Sequence, residues 1–574
     1  MTKDDTVTRV VTDNGMDVSP TSEKNFAHPD DTVFAAGADV ALYAPIDDYE
    51  GRHRYDPTAQ WTPAEEARLV RRLDWRITGW CCLMFFAMQL DRGNVSQALA
   101  DGMLSDLGLS TDQYNTGMTL YYVCFLAAEL PAQMISKRLG PDVWIPMQMV
   151  AWSAVACAQA ALPGKQANSQ AVFYATRSLL GMLEGGFVPD VVLYLSYFYK
   201  GRELPTRLAA FWAAYVATSI ISAFLAYGIL HLRGHDGWAG WRYLFVIEGS
   251  LTALIGILSW FYLPASPVQT GNASRRRVFK RIFNFFKKSD ESPEGSSSSS
   301  GWFTAREEII LVNRILRDDP GKGRMHNRQG LNIRRLVTAL SDYDLWPVYL
   351  LGLTWAVPAS PAANYMTLNL RTLGFNTFNT TLMTIPASVL FFLMLLLWTF
   401  LSERNWSGTK NKSNTNLRLV FVFLGQVYVL PCLIALELLP NSAGPWSWYA
   451  AAVVLTGFPY VHPILVGFTS RNSGNIQTRT ISTALYNMAV QASSIITSNI
   501  YRSQDAPHYR LGNKVLLGIN AWNMLLIAFM FFYYPWRNRQ KARVWDAMSP
   551  AEKDAYIAET VDTGARRLDF RFAY

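Results

Sequence analysis

Charge is scarce in this chain of 574 residues: only 17% are Asp, Glu, Lys or Arg, against about a quarter in soluble domains. Half of the residues are hydrophobic and 13% are aromatic. That excludes an ordinary water-soluble globule and favours a polytopic membrane protein. Cysteine is sparse as well, and Cys81, Cys82, Cys124, Cys157 and Cys432 all lie in apolar runs. Their spacing fits neither a metal site nor a secreted disulfide framework, so they read as reduced packing residues and no metal is expected. There is no Walker loop, HExxH or GxSxG, which leaves soluble enzyme chemistry, a catalytic residue set and an ATP-driven pump without support. No apolar core breaks the polar N-terminal stretch, so no signal peptide is read there, and the first span is expected to act as its own insertion signal.

What is present is a series of apolar runs, each long enough to cross about 30 Å of hydrocarbon. Six occupy the first half: Ile77 to Ala98, Tyr114 to Ile135, Val143 to Leu162, Ala171 to Tyr199, Leu208 to Leu230 and Trp241 to Leu263. Six more follow a long hydrophilic stretch: Leu345 to Leu368, Thr381 to Leu401, Leu417 to Leu439, Trp448 to Phe468, Thr480 to Ile500 and Val515 to Tyr534. We number them spans one to twelve. The fold class expected is all-α, with twelve transmembrane helices in two six-helix halves.

A net charge of +8 does not point to nucleic acid, because the basic residues sit in short segments between spans. Arg68, Arg71, Arg72 and Arg76 precede span one, Lys137 and Arg138 follow span two, and Lys200, Arg202 and Arg207 follow span four. Arg404, Lys410 and Lys412 follow span eight, and Arg537, Arg539, Lys541 and Arg543 follow span twelve, whereas the alternate loops carry Asp101, Asp106, Asp112 and Glu437. The positive-inside rule then puts both termini in the cytoplasm. The division expected is a disordered N-terminal tail (1–67), a first half (68–263), a central cytoplasmic loop (264–343), a second half (344–536) and a cytoplasmic C-terminal tail (537–574).

The central loop opens with RRRVFKRIFNFFKK and passes through GSSSSSG, a flexible connector. The basic aromatic stretch reads either as an anionic-lipid contact or as a solvated linker. Beyond it, Thr304 and Glu307 form a capping-box pattern before apolar positions Ile309, Val312 and Leu316, which predicts a surface helix against the membrane domain.

Ionisable residues inside spans are the functional candidates, since each costs about 2.5 to 3.5 kcal/mol on insertion scales. In LDRGNV, Asp91 and Arg92 lie about 22 Å along span one, past mid-bilayer; the plain alternative is that the span ends at Leu90 and the pair caps it. In span four, Arg177, Gly181 and Glu184 stack on one helix face, and Gly181, Gly185 and Gly186 permit close approach of another helix. Apolar flanks disfavour the charged form of Glu184, as a proton carrier requires; Arg177 also reads as a structural ion-pair partner. Weaker candidates are Asn94 beside the Asp91 and Arg92 pair, His462 between two prolines in span ten, and Asn487 with Tyr486 and Gln491 in span eleven. Asn364 lies after Pro358 and Pro361 in span seven, where a broken helix would expose backbone.

These pieces together resemble the major facilitator superfamily, and within it the fungal allantoate-permease family of anion:cation symporters. The residues that carry the resemblance are LDRGNV, AAELPAQMISKRLGPDVWIP, RSLLGMLEGGFVPDVVLYLSYFY, GWRYLFVIEG and LPASP, with SKRLG and LSERNWSGTKNK as degraded loop motifs. The resemblance implies that Arg92 binds the substrate's anionic group, that Asp91 and Glu184 are proton-linked acids, and that Arg177 and Glu129 belong to the charge network. It also marks a departure: Phe125 stands where many relatives have a tyrosine, four residues before Glu129. VNRILRDDPGKGRMHNRQ and RTISTALYNMAVQASSIITSNIYR are most similar to the sulfate and sulfonate branch. The function so implied is import of a small organic or inorganic anion by alternating access, coupled to protons and needing no cofactor, by a monomer in the lipid bilayer of the plasma membrane. The alternatives are a permease for allantoate, ureidosuccinate, nicotinate or pantothenate, facilitated uniport, and a nutrient sensor that does not transport.

Overall fold

The computed structural model describes residues 44–45, 49–270, 301–318, 341–403, 418–473 and 476–573, apart from residues 167, 202, 507 and 560–563. RRRVFKRIFNFFKK, the serine tract and most of LSERNWSGTKNK lie outside these residues. All twelve apolar runs form helices, and no strand occurs among the described residues. Seven helical stretches among the described residues are long and apolar enough to cross a membrane by length and composition alone. The others are polar or interrupted for visible reasons. Span seven is split into Trp346–Thr354, Ser360–Asn364 and Met366–Thr372, because Pro358 and Pro361 remove backbone donors. Span ten is split into Pro445–Thr456 and His462–Asn472 around Gly457 and Pro459.

Span one runs from Gly79 to Ala100 behind a π-helical turn, Asp74–Thr78, so it does not end at Leu90. Asp91 and Arg92 are mid-helix residues. Spans two (Thr111–Leu139) and four (Ser169–Glu184 and Phe187–Ser196) press together backbone to backbone. A Cβ at Gly181 would lie 2.2 Å from the Tyr121 carbonyl oxygen, and one at Gly185 would lie 2.3 Å from that of Phe125. Leu393, Leu396 and Phe400 on span eight, and Leu525, Phe529 and Phe532 on span twelve, are exposed, as helix faces that meet lipid must be. The acidic loop after span one is tied down. Asp101 and Asp106 accept from the backbone and indole N–H of Trp241 at 2.8 and 2.9 Å, which seats the GWRYLFVIEG motif.

Hydrogen bonds joining the two halves cluster on the face opposite the chain termini. Asn115 donates to the Tyr501 carbonyl at 2.8 Å and accepts from Tyr365, Asn499 donates to Thr119 at 2.7 Å, and Thr367 donates to the Ser96 carbonyl at 2.6 Å. Toward the termini the halves meet at the rings of Trp212 and His462, 5.7 Å apart.

Two expectations outside the spans change. Residues 49–67 are folded rather than disordered: a 3₁₀ turn, Arg52–Arg54, leads to a helix, Pro63–Leu73, capped by Thr62 and Glu65. They are ordered because the central-loop helix Ala305–Asp318 docks on them. That helix has the expected capping box, with Thr304 N–H on Glu307 at 2.9 Å, but it is clamped rather than laid on a surface. Arg314 is fully buried, bonded to Glu66 at 3.0 Å, to the Phe198 carbonyl at 3.1 Å and to Glu203. Lys200 reaches Glu66 at 2.6 Å. Burial would raise the Glu66 carboxyl, yet Arg314, Lys200 and Trp61 outweigh it and hold it down at about 2. After span twelve the helix continues to Ala547, and Phe572 folds back, fully buried, against Tyr534.

Candidate functional site

Adjacent residues on an α-helix project about 100° apart, and Asp91 and Arg92 do so. They do not pair with each other. Arg92 reaches across to span four, where its Nε donates to Glu184 Oε2 at 2.8 Å. Glu184 is fully buried, and the same oxygen accepts from the Tyr121 hydroxyl at 2.5 Å. The Arg92 guanidinium lies over the Phe125 ring, 4.8 Å from its centre. The hydroxyl that Phe125 cannot supply therefore comes from Tyr121, one turn earlier on span two, while Phe125 gives an aromatic face to the cation. Arg92 Nη2 has no hydrogen-bond partner, and its side chain keeps 22% of its surface accessible. It is a partly accessible cation with a donor to spare.

Asp91 points the other way, toward spans three and six. It accepts from Trp152 Nε1 on span three at 3.2 Å. Thr252 on span six donates to the carbonyl of Ala87, one turn before Asp91, at 3.3 Å. Glu248, one turn before Thr252, is fully buried in electrostatic reach of Asp91. Glu184, and not the adjacent Asp91, is the acid bonded to Arg92.

Arg177 is buried, with its guanidinium 5.5 Å from the Phe173 ring centre and 5.9 Å from that of Phe245. It shares the helix face of Glu184 as the spacing predicts, without a hydrogen bond between them; Nε and Nη2 have no partner. Glu129 is buried with Oε2 unpartnered, and Asn94 is fully buried with its whole side-chain amide unpartnered.

The second half contributes an aromatic wall. His462 is buried among Trp355, Tyr460 and Tyr486 of its own half and Trp212 of the other. Its Nδ1 lies 3.4 Å from the Tyr486 hydroxyl. Asn487 is half-buried on span eleven. Asn364 ends a short helix in the expected broken span, but it is exposed and takes no part in the cluster's contacts.

Tyr121, Trp152, Thr252 and Glu248 were missed as site residues. Only Glu248 carried its own signal, an acid inside an apolar run.

A chain of two helical halves around buried charge has known counterparts. The Major Facilitator Superfamily model matches residues 81–498. An uncharacterized transporter of Saccharomyces cerevisiae is 40% identical over 92% of this chain and 90% of its own length. A major facilitator-type transporter of Emericella nidulans is 24% identical over 84% and 88%, and a putative tartrate transporter of Agrobacterium vitis is 32% identical over 35% and 45%. Among solved structures, a D-xylose-proton symporter covers 79% of this chain and 97% of its own at a TM-score of 0.55 and 12% identity, a likeness of fold. The xylose transporter XylE of E. coli, in a partially occluded inward open conformation, covers 80% and 97% at 0.53 and 13%. The relatives are named as transporters rather than enzymes, and the chain, an all-helical membrane protein, belongs to the Major Facilitator Superfamily.

Proposed function

We propose that this protein imports a small anion by proton symport, with Arg92 as the anion-binding group. The observation that carries this reading is the Arg92–Glu184 pair. Glu184 occupies one guanidinium N–H, leaving others for a carboxylate, sulfate or sulfonate in the bidentate mode that arginine favours. Protonated Glu184 no longer competes as an anion, so a proton and a substrate anion are admitted together. Loss of the proton on the other side lets Glu184 recapture Arg92 and expel the anion. Tyr121 orients Glu184 for this exchange, and the half-to-half bonds at Asn115, Thr119 and Ser96 close the face opposite the termini while it happens. Each net positive charge carried inward gains about 2.3 kcal/mol per 100 mV of membrane potential.

The topology proposed has both termini in the cytoplasm, in the plasma membrane, with a monomer as the working unit and no cofactor besides the coupling proton. The leaning within the allantoate-permease branch is to sulfate, a sulfonate or another sulfur-containing anion, on the loop and span-eleven segments that resemble that branch. A carboxylate nutrient is the second reading, favoured by the partial likeness to a putative tartrate transporter. The test is uptake of labelled sulfate, taurine, allantoate, tartrate, nicotinate and pantothenate by yeast lacking its own carriers, with and without an uncoupler. Uncoupler-sensitive uptake of one of them supports the proposal. Uptake indifferent to pH and uncoupler would mean a uniporter, and binding without flux would mean a sensor.

A further inference from the structure

We infer that Glu248 of span six and Asp91 of span one form a proton-binding site separate from the Arg92–Glu184 anion site. Both side chains are buried, Glu248 at 0% exposure and Asp91 at 2%. Neither oxygen of Glu248 has a hydrogen-bond partner, and Asp91 Oδ1 has none either. The groups that face the pair are Trp152 and Cys157 from span three, Glu184 from span four and Thr252 from span six. Among the described residues no Arg, Lys or His is a partner of either carboxyl. A lone carboxylate in such surroundings is costly, and two within electrostatic reach are more so. The pair is therefore stable holding one shared proton, with Trp152 Nε1–H stabilising the charge left on Asp91. Glu248, whose oxygens receive no N–H or O–H, takes the proton.

The Thr252 hydroxyl lies within reach of the Ala87 carbonyl of span one and the Glu248 carbonyl of its own turn, so it joins the two helices that carry the acids, and a tilt of span one relative to span six changes their separation. The proton enters the pair from one side of the membrane and leaves to the other, with no bond to substrate. Asp91 and Arg92 are consecutive, so a tilt of span one that frees Arg92 for the anion also moves Asp91 relative to Glu248. That links the proton site to the anion site without contact between them. This inference deepens the proton-symport reading and rests on it.

The test begins with the proton itself as ligand. Full-length protein in lipid nanodiscs is titrated while the carboxyl C=O stretching band is followed by infrared difference spectroscopy. Glu248→Gln is expected to remove one carboxylic acid's worth of band at neutral pH, and Glu248→Gln with Asp91→Asn to remove no more. Glu248→Gln should also move the midpoint of the remaining titration by about one pH unit or more, as for coupled acids; Glu248→Asp should restore the band. An unchanged band in Glu248→Gln, or additive losses in the double variant, overturns the shared site. If Glu248→Gln does not reach the membrane, Asp91→Asn decides the matter: the band should be kept while its titration midpoint moves down by about one pH unit or more, and an unmoved midpoint overturns the shared site.

The second arm uses proteoliposomes with an internal pH dye and the same panel of anions. Glu248→Gln is expected to keep anion exchange at equal pH but lose accumulation driven by a pH gradient; a purely structural role would lose both. Wild-type proton to anion ratio in Glu248→Gln overturns the inference. Anion flux without proton entry in the wild type overturns the symport reading instead, so the two failures are distinguishable.

Discussion

At the scale of single residues, the unusual feature is one carboxylate oxygen, Glu184 Oε2, that receives both Arg92 and Tyr121. A hydrogen bond to a charged group contributes about 1.5 to 3 kcal/mol, so Tyr121→Phe should lower transport efficiency by about ten- to a hundredfold while leaving expression unchanged. Uptake kinetics in whole cells check this. Arg92→Lys keeps the charge but loses the planar fork, and it should abolish anion uptake with normal surface labelling. Wild-type uptake in that variant would remove Arg92 from the anion site. The two neighbours in LDRGNV also show where a sequence falls short: both were recognisable as buried ionisable groups, but their partners lie 61 to 92 positions away in the chain and no local pattern announces which one each will meet.

At the scale of elements, close packing of spans two and four depends on Gly181. Its missing side chain leaves room for a carbonyl oxygen, and backbone on both sides cannot yield as a flexible side chain can. Gly181→Val should therefore reach the upper end of the 1 to 3 kcal/mol, roughly, that overpacking costs, read as a lower midpoint in a thermal-stability assay of solubilised protein. The clamp made by the central-loop helix gives another expectation. Removing one partner of a buried ion pair costs about 3 to 5 kcal/mol, so Arg314→Met should release Ala305–Asp318 and make it sensitive to added protease. The sign of its pH dependence follows from Glu66. Its folded carboxyl is held at about 2, below the ordinary 4.5, so the stabilisation is fully present above about 4.5 and is lost as pH falls toward about 2. Stability measured between about pH 5 and 8 should not vary on account of this clamp.

At the scale of the whole molecule, short polar bonds join the halves on one face beside an apolar cluster in which Tyr114 meets Tyr365, and an interface that alternates access must open and reclose there. Thr119 and Asn499 meet at 2.7 Å on that face. Thr119→Cys with Asn499→Cys, in a chain whose five native cysteines are replaced, should be joined by a short bifunctional thiol reagent. Uptake should stop on joining and return when a cleavable reagent is reduced. Undiminished uptake by the joined protein would exclude opening of this face from the transport cycle.

The sequence by itself determined the helical membrane fold, the six-plus-six layout, the close approach at Gly181 and Gly185, and the ionisable residues Asp91, Arg92, Arg177 and Glu184 inside the spans. Each of these follows from composition, run length or spacing within a single helix, where geometry is regular enough to compute. The tertiary structure decided the pairing. It turned Asp91 away from Arg92, brought Tyr121 to Glu184 in place of a hydroxyl at position 125, buried Glu248 of span six in electrostatic reach of Asp91, and folded residues 49–67 under the central-loop helix. Those outcomes depend on the rotation and separation of helices distant in sequence, which are set by the packing of whole faces and have no local signature in the chain.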